Sequence, residues 1–226
     1  CGVRRLSAAR RVKAVRRGLQ RALLIADMPY GSFHLGPDQA VANALRFIKE
    51  GGASAVKIEG ARIDIIAALV AAEVPVQAHL GLTPQSIHKF GGFKVQGRGA
   101  EARAALLAAA EAVEAAGAFS LVLECIPTEL GREVTERVGI PTIGIGAGPY
   151  CDGQVLVYHD LLGIEERIAP RFVRRYAEQG KGAREAIAAF AADVREGRFP
   201  APEECFEDPG FPSSTLAPPL ERLYGG

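Results

Sequence analysis

Short apolar runs alternate along the chain with longer alanine-rich segments that carry one apolar face. The segments at 37–52 and 101–118 are examples, and their pattern predicts amphipathic helices. The apolar runs predict six strands, at 22–29, 54–60, 74–81, 120–127, 141–148 and 154–160. Strands that alternate with helices indicate parallel β/α units joined by right-handed crossovers. We therefore expect an α/β protein whose helices cover a parallel sheet.

Polar side chains stand at the ends of four of these strands. Because side chains alternate across a strand, Lys57 and Glu59 share one face of the second strand. The same alternation makes Asp27, His79 and Glu124 the last inward-facing side chains of the first, third and fourth strands. A structural ion pair at a strand end would explain Lys57 and Glu59 alone. Four strand ends with complementary chemistry indicate an active site instead, since β/α barrels carry theirs at the carboxyl ends of the strands.

The loops add two further expectations. In "HLGLTPQS", Thr83 is the expected N-cap of a helix and Pro84 its first residue. The segment "GIGAG" at 144–148 lacks the full spacing of a dinucleotide fingerprint. We interpret it as a strand end where the backbone comes close to a neighbour or a ligand.

Composition excludes several classes of protein. The 226 residues are 48% hydrophobic and 23% charged, which is typical of a globular protein with a substantial core. No apolar run approaches the roughly 20 residues needed to span a bilayer, so we expect no membrane span. The four cysteines are scattered without a CxxC pair. This spacing argues against a zinc site or a disulfide framework and favours a reducing cytoplasm.

The charge is uneven along the chain. Residues 1–21 hold eight Arg or Lys and no acid, which leaves 19 bases against 26 acids in the remainder. A transit peptide or a nucleic-acid arm would explain this, but we favour a solvated helix face, with no nucleic-acid partner. The chain begins with Cys1 rather than Met, so we expect a processed product or a fragment.

The strand ends also suggest a chemistry. Asp27 and Glu59 offer hard oxygen ligands of the kind that Mg²⁺ prefers, whereas a site poor in His and Cys disfavours zinc. Lys57 suits a substrate carboxylate as a point charge, and Glu124 is left as the candidate general base. Metal, cation and base together suit proton abstraction beside a carbonyl, with the resulting enolate stabilised by the metal.

Several stretches resemble the ketopantoate hydroxymethyltransferase family. They are "AVRRG", "LLIADMPYGSF", "AVKIEG", "HLGLTPQS", "FGGFKVQGRG", "LVLECIP", "IPTIGIGAG" and "CDGQVLVYHDLLGI", and they run in family order from about residue 12 to about residue 200. The resemblance implies a TIM-type barrel that uses Mg²⁺. It also implies hydroxymethyl transfer from 5,10-methylenetetrahydrofolate to α-ketoisovalerate, in pantothenate synthesis, by a homo-oligomer.

The resemblance also implies roles for four residues. Asp27 matches a metal-associated residue that contacts the keto acid, and Glu59 matches the second metal-associated carboxylate. Lys57 matches the lysine that binds substrate. Glu124 matches the proton acceptor.

The chain departs from the family at its start. Family members begin with two further β/α units, the second of which ends in a Gly-Asp-Ser stretch that binds metal and substrate, and no such stretch precedes Asp27. We therefore expect a (β/α)8 barrel without its first two β/α units. It would form a single domain over residues 1–198, followed by a proline-rich tail over 199–226.

Two alternatives to this function stay open. A phosphoenolpyruvate mutase/isocitrate lyase-like barrel also uses Mg²⁺ and an enolate, but no cysteine-containing loop motif of that kind is evident in the sequence. A non-catalytic, degenerate barrel is the alternative from a different class.

Overall fold

The computed structural model describes residues 2–167 and 170–205. Helix α1 (Gly2–Gly18) is followed by β1 (Ile25–Asp27), α2 (Pro37–Lys49), β2 (Ala55–Glu59), α3 (Ile63–Ala71) and β3 (Val76–Gly81). A 3₁₀ turn (Pro84–Ser86) then leads into α4 (Ile87–Phe90), α5 (Ala100–Ala115), β4 (Ser120–Glu124), α6 (Thr128–Arg137), β5 (Thr142–Ile145) and β6 (Gly153–Gln154).

The chain divides into two compact units between Val155 and Leu156. The first unit contains every element from α1 to β6. The described part of the second unit contains α7 (Tyr158–Leu161), α8 (Gln179–Arg195) and a 3₁₀ turn (Pro202–Glu204). Within the second unit the rings of Phe190 and Phe199 meet edge to face, with centroids 5.1 Å apart. Most of the predicted tail, residues 206–226, lies outside the described residues.

The first unit is built on one parallel sheet. Across the described residues the sheet has six strands in chain order, β1 to β6, and each strand pairs with the next. The prediction of an α/β fold with a parallel sheet is therefore confirmed. The eight-stranded barrel stays a prediction, because β1 and β6 each pair with one neighbour in this sheet.

The helices bury the faces that the apolar periodicity predicted. In α2 the buried residues are Ala40, Asn43, Ala44 and Phe47, which recur every three or four positions. Buried residues of α3, α5 and α6 join those of the strands in one hydrophobic cluster that includes Leu69, Leu107, Leu121 and Leu130. This core holds the strands in place from one side, so their carboxyl ends are set by the packing of the whole unit.

The sixth predicted strand is largely wrong. The pattern predicted strand over 154–160, but β6 stops at Gln154 and α7 begins at Tyr158. Val155 and Val157 are exposed, so the alternating valines that suggested a strand do not face a core. The first strand is also shorter than the run at 22–29. An alternating apolar pattern shows that a segment can pair as a strand. The strand itself ends where the neighbouring strand no longer offers backbone hydrogen-bond partners.

Two further observations concern the charge and the hydropathy of the helices. Arg10, Arg11, Lys13, Arg16 and Arg17 are all exposed on α1, as expected of a solvated basic helix face. Across the residues described, none of the helices has both the length and the hydropathy needed to cross a membrane.

The "GIGAG" segment is a place of close backbone approach, as predicted. A Cβ on Gly144 would lie 3.0 Å from the Cys151 sulfur, and one on Gly148 would lie 2.5 Å from Thr128. Both distances are shorter than ordinary carbon contacts. Gly144 and Gly148 are therefore explained by close packing against other segments of the same chain.

Candidate active site

The polar strand ends meet at the carboxyl edge of the sheet. In the register of the parallel strands, Asp27 lies beside Lys57, and Glu59 lies beside His79. Glu124, at the end of β4, lies beside Gly81, the last residue of β3. Because these strands are neighbours, side chains that are far apart in sequence face one another here.

Four of these side chains form a continuous line across the four strands. The Lys57 ammonium lies 2.8 Å from the Asp27 carboxylate and 3.4 Å from Nδ1 of His79. On the other side of the ring, His79 Nε2 lies 3.2 Å from Oε2 of Glu124. The Asp27 side chain is 56% exposed, the His79 side chain 4% and the Glu124 side chain 15%, so the line is open to solvent at Asp27 and most buried at His79.

His79 separates the lysine from the glutamate. An ammonium group can only donate, so Nδ1 accepts from Lys57 and the ring proton is left on Nε2, facing Glu124. The contact with Glu124 is short, yet it does not meet the geometry of a hydrogen bond. The buried ring thus offers Glu124 a polarised N–H at close range without a fully formed bond.

Glu59 lies beside this line and is held differently. It is 6% exposed, and its Oε2 accepts a hydrogen bond of 2.9 Å from the backbone N–H of Gln85. Burial raises the pKa of Glu59 and the charge of Asp27 acts in the same direction, whereas Gln85, His79 and Lys57 oppose the rise. Glu59 is therefore a buried carboxylate that a further cation would stabilise.

Gln85 is a site residue that the sequence reasoning missed. Thr83 and Pro84 do begin a helical turn, as predicted, although Thr83 makes no side-chain cap bond. The first N–H groups of such a turn lack partners within the turn, which is the signal that could have pointed to Gln85. Its side chain also donates to the Met28 carbonyl at 2.9 Å, so it ties the ends of β1 and β2 together.

Cys125, directly after Glu124, does not supply a nucleophile. Burial, and then the charge of Glu124, raise the pKa of the thiol to about 11. The thiol therefore stays protonated near neutral pH and is a weak nucleophile.

Gly81 brings the backbone of β3 against the end of β4. Its φ is +91°, and a Cβ there would lie 2.2 Å from the Glu124 carbonyl oxygen. A side chain at this position would have to displace the residue that we interpret as the base.

We expect Gly81→Ala to lower the free energy of unfolding by more than about 2 kcal/mol, since the left-handed conformation alone costs roughly 1–2 kcal/mol and the clash adds to it. Urea unfolding measures the loss. Gly99→Ala is the control, because Gly99 has a similar φ of +84° with nothing within 4 Å of a Cβ. Equal losses in the two variants would show that the close approach to Glu124 carries no cost.

A metal ion would find two carboxylates here. Among the residues that the structure describes, no group of three or more His, Cys, Asp or Glu side chains is arranged to hold a metal. Asp27 and Glu59 alone fit Mg²⁺, which usually keeps several waters and takes one or two protein carboxylates. The structure thus brings all five strand-end residues together, and their roles stay predictions.

The amino-acid sequence matches one family over most of its length. Residues 5–202 match the family model described as ketopantoate hydroxymethyltransferase. The 3-methyl-2-oxobutanoate hydroxymethyltransferase of Syntrophomonas wolfei is 50% identical over 214 residues, which cover 94% of this chain and 75% of the relative. The enzyme of the same name from a Chelativorans species is 53% identical over 198 residues, 87% of this chain and 70% of the relative.

Solved structures share the fold at much lower identity. The chain superposes on 2,3-dimethylmalate lyase, a PEP mutase/isocitrate lyase superfamily member, with a TM-score of 0.51 and 18% identity over 96% of this chain and 72% of that chain. It superposes on a phosphonopyruvate hydrolase solved with oxalate and Mg²⁺ with a TM-score of 0.50 and 16% identity, over 87% of this chain and 71% of that chain. These similarities extend to the fold and no further.

Proposed function

The chain belongs to the ketopantoate hydroxymethyltransferase family, and from that premise we propose that it transfers a hydroxymethyl group from 5,10-methylenetetrahydrofolate to α-ketoisovalerate. One observation of the structure carries the proposal. The line from Lys57 through His79 to Glu124 contains two useful groups. Lys57 is a cation that can bind the carboxylate of the substrate, and Glu124 is a base that can remove a proton from the substrate carbon. Deprotonation of a 2-keto acid needs a base, and a nearby cation can hold the carboxylate of the substrate.

In this proposal Lys57 binds the carboxylate of the keto acid. Glu124 takes the proton from the carbon beside the carbonyl, and the electron pair of that C–H bond moves toward the carbonyl oxygen. Water replaces the two bonds between the one-carbon unit and the folate nitrogens, which gives formaldehyde and leaves tetrahydrofolate. The enolate carbon then forms the new C–C bond to that carbon, and the resulting alkoxide takes the proton back from Glu124. His79 Nε2 lies close to the Glu124 carboxylate, and in this proposal the contact tightens into a hydrogen bond that keeps the base directed at the substrate carbon.

Asp27 and Glu59 would hold Mg²⁺. When bound, the ion supplies positive charge for the oxygen on which negative charge develops. The buried Glu59 fits this role, because burial has raised its pKa and a cation offsets the cost of keeping it charged. Asp27 already neutralises Lys57 at 2.8 Å, so both side chains must exchange partners when substrate and metal enter.

We expect Asp27→Asn and Glu59→Gln each to raise the Mg²⁺ concentration needed for half-maximal activity by roughly 10-fold or more, since outer and inner ligands typically contribute 10–100-fold to metal affinity. Titrating activity with Mg²⁺ measures the shift. Asp38→Asn is a matched control, because Asp38 is exposed in the first turn of α2.

The same titration should depend on pH. Because the pKa of Glu59 is raised, protons compete with the metal at a higher pH than at an ordinary glutamate. The Mg²⁺ concentration that the unmodified chain needs for half-maximal activity should therefore rise as the pH falls toward the upper end of the range in which carboxyl groups titrate. An unchanged requirement in Glu59→Gln would remove Glu59 from the metal site.

The six-stranded sheet is, in our proposal, part of an eight-stranded barrel. The short edge strands β1 and β6, of three and two residues, support this, because each has an edge available for a further strand. We propose the single domain over 1–198, assembly as a homo-oligomer and a reducing, cytoplasmic compartment as further parts of the same interpretation.

Turnover tests the proposed function directly. The chain is incubated with α-ketoisovalerate, methylenetetrahydrofolate and Mg²⁺, and ketopantoate is measured. Exchange of the substrate proton in D₂O is followed without the folate, so that the two half-reactions are separated. Neither exchange nor product would contradict the proposal and favour the non-catalytic barrel. The mutase and lyase superfamily likeness is one of fold, so it favours no second function.

A further inference from the structure

A cavity of about 490 Å³ opens at the carboxyl ends of β2 and β3. Its wall includes Glu59 and Gly81, the hydroxyl residues Thr83 and Ser86, and the cations Arg62 and Lys89. This volume lies in the range of pockets that hold small molecules. Apart from Glu59, the proposed reaction has not used any of these side chains.

The two cations are not neutralised by any acidic side chain that the structure describes. Within residues 2–167 and 170–205, neither Arg62 nor Lys89 forms an ion pair. Arg62 is half-buried, and its guanidinium carbon lies 6.0 Å from the centre of the buried Phe33 ring, which restricts the side chain. The pKa of His34 is lowered, mainly by burial and in addition by the positive charge of Arg62.

Glu59 does not balance these cations. It is the one carboxylate among the described residues of the cavity wall, and it accepts a hydrogen bond from Gln85 and is assigned to the metal in the proposed function. The cavity therefore carries a net positive charge on a partly apolar wall. Such a pocket favours a ligand that ends in an anion.

The cavity is next to the proposed reaction centre. It shares Glu59 with that centre, and Gly81 in its wall is paired with Glu124 in the sheet. The keto acid needs a single cation for its carboxylate, and Lys57 provides it. Two further cations, which follow β2 and β3 and therefore lie on the side of the base toward β1, suit the second reactant.

We propose that this cavity binds the carboxylate-bearing end of the one-carbon donor, with Arg62 and Lys89 as its ionic partners. The inference rests on the proposed function, under which the donor is a folate whose glutamyl group carries two carboxylates. Arg62 makes the stronger contact, because it is partly buried and its planar guanidinium can bind a carboxylate through two N–H groups. Lys89 is exposed and contributes less.

Equilibrium binding to the whole chain tests this inference. Isothermal titration calorimetry compares two probes, tetrahydrofolate and the neutral carboxamide of tetrahydropteroate, which lacks the glutamyl group and carries no carboxylate. The unmodified chain should bind tetrahydrofolate more tightly. Arg62→Gln should weaken tetrahydrofolate binding by roughly 10-fold, and Lys89→Gln by about 2- to 5-fold. Neither variant should change the binding of the neutral carboxamide.

Three controls accompany the titration. Arg62→Lys keeps the charge and should restore part of the affinity. Arg46→Gln removes a half-exposed arginine that pairs with Glu50 outside the cavity, and it should have no effect. Thermal unfolding of each variant shows whether the fold is intact, since Arg62 also lies at the start of α3.

The inference is overturned if the unmodified chain does not distinguish the two probes or binds neither of them. Equal losses for both probes in Arg62→Gln would overturn it as well. So would an Arg62→Gln variant whose Michaelis constant rises for the keto acid alone. Proton exchange on α-ketoisovalerate does not require the folate. If proton exchange persists and Arg62→Gln binds tetrahydrofolate as tightly as the unmodified chain, this inference is rejected. The proposed function is then still supported.

Discussion

Replacing Glu124 by Gln should slow proton exchange at the carbon beside the carbonyl of α-ketoisovalerate by on the order of 10²–10⁴-fold, the usual contribution of a general base. The amide has nearly the same shape as the carboxylate and can stay close to His79 Nε2, which now lies 3.2 Å from Oε2. The amide cannot accept a proton at neutral pH. The fold and Mg²⁺ binding should therefore be kept while exchange is lost. Exchange is measured by NMR in D₂O.

Glu129→Gln is the matched control for this experiment. Glu129 is exposed on α6 and pairs with Arg132 three residues away, so its amide variant should exchange at the unmodified rate. An exchange rate in Glu124→Gln equal to that of the control would rule Glu124 out as the base. His79 would then be the remaining titratable side chain in contact with that end of the line.

Lys57→Ala should raise the Michaelis constant for the keto acid by roughly 10- to 100-fold, because a hydrogen bond to a charged group is worth about 1.5–3 kcal/mol. The turnover number should change less, since Glu124 keeps its place beside His79. Asp27 loses its partner at 2.8 Å and is left more available to a cation. Steady-state kinetics at saturating Mg²⁺ separate the two constants.

Two further variants sharpen this second experiment. Lys57→Met keeps the length and the apolar stem of the side chain, so a similar rise in both variants would show that charge rather than packing is responsible. Lys49→Ala removes an exposed lysine at the end of α2 and should leave both constants unchanged. If Lys57→Ala altered the Mg²⁺ requirement and nothing else, the division of roles between Lys57 and Asp27 would be wrong.

The strand ends could be predicted because they depend on local patterns. Alternation along each strand placed Asp27, Lys57, Glu59, His79 and Glu124 on inward-facing positions, and the parallel topology placed their strands side by side. Both follow from the period of a strand and from the helices between strands. The α/β prediction needed no knowledge of contacts far along the chain.

The contacts between strand ends could not be predicted in this way. Lys57 meets Asp27 rather than Glu59, its neighbour on the same strand face, because the register places Asp27 directly beside it. Register is set by the packing of whole strands and helices, which the sequence of one strand does not contain. The sixth strand failed for the same reason, since it required a partner over its full length.

The cavity also could not be predicted from the sequence. Arg62 precedes α3 and Lys89 lies in the short helix α4, so they follow different strands, and the positions of these two elements depend on the packing beneath them. Neither residue stands at an unusual position in an apolar run, so no local pattern marks it. Their proximity to one cavity is a property of the folded chain.

The close approach of Gly81 to Glu124 has a consequence for how the base is ordered. The Glu124 carbonyl accepts from the Leu82 N–H at 2.8 Å, and the next residue, Cys125, donates to Ile145 at 2.9 Å and accepts from Gln96 at 2.9 Å. The backbone around the base is thus bonded on both sides. The conformational entropy of this segment is lost when the protein folds rather than at each catalytic cycle. The amide protons of Leu82 and Cys125 should consequently be among the slowest in the first unit to exchange with solvent.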